Sequence, residues 1–140
     1  MLGLGITLAY AGPDESIKAR QTFMKQRGDA LRPLVAMMKG EAPYDAAVVK
    51  AAIGTINAAW EVAAKDDPFA PDSVKGITVE TWAKPEVWSD LEGFKAASEA
   101  GAKAMAALAA SNDEASFNAA FSEVGKSCGG CHEKYRRPKG

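Results

Sequence analysis

Hydrophobic positions in this chain recur at helical rather than strand spacing. Ile17, Met24, Leu31 and Met38 fall seven residues apart, with Leu34 and Val35 broadening the stripe. That period is the seam of a helix packed in a bundle. The predicted helix opens at Pro13-Asp14-Glu15, where acidic side chains suit the positive end of the helix dipole. Pro33 lies inside the pattern and is expected to kink or split it, and Gly40 to end it. A second helix is predicted from Pro43-Tyr44-Asp45 to near Lys65, with Tyr44, Val48, Ala52, Thr55, Ala59 and Val62 on one face.

Residues 66–85 form a connector rich in Pro and Gly. It also carries Phe69, Val74, Ile77, Val79 and Trp82, so it is expected to pack over the helices. A third helix is predicted from Pro85 to Ala110, with Trp88, Leu91, Ser98, Ala102 and Met105 as its seam and Phe94 and Leu108 alongside. Ser111 and Glu114 have the spacing of a capping box and open a fourth helix. On it Phe117, Phe121, Val124, Cys128, His132 and Tyr135 follow at intervals of three or four and share one face. The fold class is all-α.

Composition narrows this reading. At 140 residues the chain is one domain, long enough to bury about two-thirds of its unfolded surface. Its net charge of −1 points to no nucleic-acid partner. Residues 1–11, MLGLGITLAYA, are apolar and end in Ala9-Tyr10-Ala11, a small-residue cleavage pattern. They read as a secretory signal remnant cut before Gly12, although the usual Lys or Arg at its start is missing. The alternative is a buried first turn of helix. The segment is too short to span a bilayer, so the reading is residues 12–140 as the mature domain, exported to a periplasm with no membrane span.

The chemistry sits near the end. Cys128-Gly129-Gly130-Cys131-His132 contains both cysteines and the single histidine of the protein. C-x-x-C-H is the attachment signature of haem c. Two thiols add across two vinyl groups as thioethers, and the imidazole binds iron. On a helix all three side chains lie on one face within about one turn. A dithiol redox site would sit in a βαβ setting, and no strand pattern is near. A zinc site wants four donors and the chain offers three Cys or His. A disulfide across two residues would leave the histidine unused.

One histidine limits the iron. With His132 as the proximal ligand, the sixth position falls to a methionine, a weaker donor, an external ligand, or nothing. Met24 is the candidate among Met24, Met37, Met38 and Met105, because it lies on the first helix's seam before Pro33. The plain alternative is a gap-filling core methionine. Phe121 is core that can also wall the haem, and Arg136 can meet a propionate or belong to a solvated basic tail. Arg20 and Phe94 complete the cofactor-binding candidates.

Several stretches resemble class II c-type cytochromes, the cytochrome c-prime family with its low-spin relatives. They are Ile17 to Gln21 with Met24-Lys25, Lys39-Gly40-Glu41 with Tyr44 to Ala47, residues 69–76 (FAPDSVKG), residues 85–94 (PEVWSDLEGF), and Val124-Gly125-Lys126 leading into the haem motif and Tyr135-Arg136. The resemblance covers Glu15 to Pro138. It implies an up-and-down antiparallel four-helix bundle with one covalent haem near the C-terminus. It also implies His132 proximal, Met24 at the distal position, and homodimers through the first two helices.

Within that family the resemblance leaves two functions. Low-spin members bind iron through methionine and carry electrons between redox partner proteins. Cytochrome c-prime members keep a five-coordinate iron that takes NO or CO. The expectation is a periplasmic electron carrier with Met24 as sixth ligand, the alternative a high-spin gas binder. An enzyme such as a peroxidase ranks last, because no distal histidine remains for acid-base work.

Overall fold

Helices account for nearly all of the regular structure in the computed structural model, which describes residues 12–138. The signal expectation at residues 1–11 lies outside them. Four long helices are α1 (Pro13–Met38), α2 (Ala46–Ala63), α4 (Leu91–Ala110) and α5 (Glu114–Tyr135), with a single-turn α3 (Glu86–Ser89) before α4. α1 packs chiefly on α2 and α4 on α5, and contacts of α1 with α5 and α2 with α4 close the bundle. Its main core joins Leu34 and Met37 of α1 to Val49, Leu108, Phe117, Phe121 and Val124.

Pro33 does not split α1, which runs on to Met38. Pro33 lies on the exposed side, so the carbonyl one turn back that loses its donor can turn to water. Gly40 then ends the helix in the left-handed region at φ 73°, its N–H donating to the Met37 carbonyl at 3.1 Å.

The seams needed correction. In α1, Ile17 is fully buried, but Met38 is exposed and Met37 takes its place. In α2 the buried face is Val49, Ala52, Ile56 and Ala63, whereas Thr55 and Val62 face out. α4 buries Ala104 and Leu108 instead of Leu91, Ser98 and Ala102. The third predicted helix breaks at Asp90, which leaves helical geometry to cap α4 through Gly93 N–H. The capping box of α5 is Asp113 with Ser116, while Ser111 closes α4 by bonding the Leu108 carbonyl at 2.6 Å.

The connector between α2 and α3 is strapped to the first turns of α1. Asp14 accepts from Ile77 N–H at 2.7 Å and from the Thr78 hydroxyl at 2.6 Å. Thr78's hydroxyl foremost, with the backbone N–H groups of residues 77–79, holds the Asp14 carboxyl below its usual range. Ser16 donates to the Asp66 carbonyl and Gln21 to that of Glu80. Gly76 allows this approach, since a Cβ there would meet Asp14 Oδ1 at 2.8 Å and Ile17 Cδ1 at 2.9 Å. At the far end Lys84 N–H bonds the Tyr135 carbonyl and Arg137 N–H the Trp82 carbonyl, so one strap joins the start of α1 to the end of α5.

Candidate functional site

α5 carries Cys128, Cys131 and His132 because its apolar stripe continues into them. Phe117, Phe121 and Val124 are buried, Cys128 packs against the same core, and Cys131 and His132 are half-buried. Both thiols are free. Burial first, and Cys128 second, push the Cys131 thiol up, while the positive charge of Arg27 on α1 pulls it down. Gly129 and Gly130 are exposed with open space where a side chain would stand. No group of three His, Cys, Asp or Glu side chains among the described residues could hold a metal ion between them. Two accessible thiols beside one imidazole suit a group bound covalently at its edge and through a single protein nitrogen.

Aromatic rings form a wall from α1 to α5. The Arg20 guanidinium lies 5.4 Å from the Trp88 ring, and Trp88 Nε1 donates to the Phe69 and Ala70 carbonyls. Phe69 packs on Phe94 at 5.0 Å, and Phe94 meets Tyr135 edge-on at 5.4 Å. Tyr135 is one turn beyond His132. Its hydroxyl donates to Asp90 Oδ2 at 2.9 Å, and Lys134 pairs with the same oxygen at 3.0 Å.

The other sequence candidates have diverse places. Met24 stands one turn past Arg20 on α1 and is 37 % exposed. Arg20 is 4 % exposed, and its guanidinium serves the connector: it donates to the Pro68 and Ser73 carbonyls and to the Ser73 and Thr81 hydroxyls. Burial pulls its pKa down to about 10, so it stays charged at neutral pH. Phe121 stacks on Phe117 at 5.6 Å within the main core. Arg136 caps α5, its N–H donating to the His132 carbonyl at 3.1 Å, and its backbone bridges to Ala83.

Sequence reasoning missed Arg27, Trp88 and Asp90 as parts of the site. Arg27 follows Arg20 by seven residues, so the seam itself held that signal. Its Nε is buried without a hydrogen-bond partner among the described residues. A buried guanidinium nitrogen without an acceptor, near a cysteine of the haem motif, fits a site shaped for a further group.

Comparison with known proteins agrees. The family described as Cytochrome C' matches residues 15–136. Cytochrome c-556 of Agrobacterium tumefaciens (strain II Chrys) is 39% identical over 127 residues, covering 88% of this chain and 98% of that protein. Cytochrome c' of Alcaligenes xylosoxydans xylosoxydans is 33% identical, covering 93% and 99%. The crystal structure of cytochrome c' from Rubrivivax gelatinosus superposes with a TM-score of 0.81 at 34% identity, covering 91% of this chain and 99% of that one. A C-x-x-C-H motif on the last helix of a four-helix bundle, with relatives matched over nearly their whole length, places the chain in the cytochrome c' family of class II c-type cytochromes, with a covalent haem c as its cofactor.

Proposed function

We propose that this protein is a periplasmic electron carrier that holds one haem c through Cys128 and Cys131, with His132 as proximal and Met24 as sixth iron ligand. When bound, the haem supplies one-electron chemistry, its iron cycling between ferric and ferrous. The observation that carries the reading is the shared face of Cys128, Cys131 and His132 on α5, next to an aromatic wall that reaches α1 one turn before Met24.

Each residue has a task in this account. The two cysteines fix the cofactor so that it cannot dissociate during turnover of electrons. His132 is held by its helix, whose next turn is pinned through Tyr135 to Asp90. Phe94, packed on Phe69 and Tyr135, and Phe121, on the core stripe that runs into Cys128, wall the haem from water, and Arg136 stands at the helix end to meet a propionate. Arg20 acts from behind, by fastening the connector and Trp88. Residues 1–11 serve export and residues 12–140 form the mature domain. Redox proteins are its partners, and a second copy docks on the outer side of α1 and α2, where Trp60 and Val62 are exposed. No helix of the described residues is long and apolar enough to cross a membrane.

A second reading has support of its own. Met24 is more than a third exposed rather than locked in the core, and a cytochrome c prime variant from Alcaligenes xylosoxidans, 31% identical with a TM-score of 0.78, was solved as a nitric oxide complex. In that reading the sixth position stays open for NO or CO. Neither reading is an enzyme. The ferric spectrum separates them: electron transfer through Met24 predicts a low-spin spectrum with a sulfur-to-iron charge-transfer band that Met24→Ala abolishes. A high-spin spectrum that Met24→Ala leaves unchanged would establish the gas-binding reading instead.

A further inference from the structure

Arg27 stands out among the charged residues of α1. It lies one turn past Met24, half-buried, while the residues around it at Gln26 and Gly28 face out. The acid nearest in sequence, Asp29, is taken by Lys25 at 2.6 Å and Arg32 at 3.1 Å. Nothing among the described residues accepts from its buried Nε. Leu31, one turn on, and Cys128 of α5 pack on the same core. α1 and α5 run in opposite directions, because the start of α1 and the end of α5 share the connector strap. Arg27 therefore faces the level of Cys131.

A long cation is expensive to bring inside a bundle, and a surface helix has cheaper places for it. The planar guanidinium is also the side chain best suited to lie against an aromatic plane with one N–H unpaired. Charge decides what it does there. Ferric iron in a porphyrin carries one net positive charge and ferrous iron none, so a nearby cation opposes the ferric form. In a low-dielectric interior that opposition is strong and little screened by salt.

We propose that Arg27 is a positioning and charge-setting residue of the haem site, a fixed cation beside the attachment cysteines that biases the iron toward its reduced state. The bias moves one electron, delivered by an external one-electron donor, and makes or breaks no bond. This inference rests on haem attachment at Cys128 and Cys131 but not on the identity of the sixth ligand.

The test is the midpoint potential of exported holoprotein, measured by mediated spectroelectrochemistry at low and high salt for wild type, Arg27→Leu, Arg27→Gln and Arg27→Lys. At the wild-type midpoint, the ferrous-to-ferric ratio of the two neutral variants is expected to fall about tenfold, equivalent to ~59 mV for one electron. Arg27→Lys stays within about twofold, and the differences persist in high salt. Neutral variants that stay within about twofold of wild type would overturn the proposal. So would a lysine variant that shifts as far as leucine, since packing and not charge would then be responsible, or a shift that vanishes in salt. Colourless wild-type protein would instead sink the attachment reading, whereas coloured variants with unmoved potentials sink only the role of Arg27.

Discussion

The Tyr135 hydroxyl donates to Asp90 Oδ2 at 2.9 Å, and so ties the turn after His132 to the residue that caps α4. Asp90 accepts three ways: from Lys134, from Tyr135 and from Gly93 N–H. A single carboxylate thus joins two helices at the level of the haem motif.

Lys134 first, then Tyr135 and the Gly93 N–H, hold the Asp90 carboxyl below its usual value of 3.8. A carboxylate with a depressed folded-state pKa stabilises fully above the unfolded value and loses that contribution as pH falls through the folded one. Asp90→Asn is therefore expected to lower the melting temperature at neutral pH. The wild-type and variant curves should converge in acid below pH 3.8. Thermal melts followed by circular dichroism across that range check it, and a gap independent of pH would contradict it.

Gly93 is where the same junction is most crowded. A Cβ there would stand 2.5 Å from the Tyr135 hydroxyl and closer still to the Asp90 carboxylate. Gly93→Ala should gain about 1 kcal/mol of helix propensity and still lose on balance, since overpacking costs ~1–3 kcal/mol. Urea titration is the readout, and a stabilised variant would show that the junction can give way.

Arg20 is buried, with its guanidinium on three different parts of the connector. Arg20→Ala should cost about 3 kcal/mol or more, because charged hydrogen bonds are lost and buried acceptors are left bare. Arg20→Lys should recover only part, for lack of the fork. Limited proteolysis is expected to cut both variants first within residues 64–85. Wild-type protease resistance in Arg20→Ala would mean that the connector is held by Asp14 and its own packing.

Met37 and Met38 test the register of α1. Met37 is 7 % exposed and Met38 40 %. Met37→Ala should cost ~2–5 kcal/mol and Met38→Ala within about 0.5 kcal/mol. Equal costs by chemical denaturation would contradict the packing described.

Much of this was legible in the sequence. The α5 stripe from Phe117 to Tyr135 carried its own register, because the repeat is short and its aromatics are large. The strict heptad of α1 misled at its last position, where Met37 is buried and Met38 exposed. Alanine-rich α2 and α4 gave weak periodicity, as a buried and an exposed alanine look alike, and Thr55 and Ser98 were placed inward wrongly. The caps were shifted by residues that compete for one role: Asp113 took the N-cap from Ser111. Asp90 owes its meaning to Tyr135 and Lys134 on another helix, which no local pattern reveals.

The central claim is a covalent one, and trypsin isolates it. Cleavage after Lys126 and Lys134 releases a peptide of residues 127–134 that holds both cysteines and the histidine. Mass spectrometry of exported protein should find this peptide heavier by one haem, with no thiol left to alkylate. The same peptide at its bare mass, with Cys128 and Cys131 both alkylated, would contradict the account.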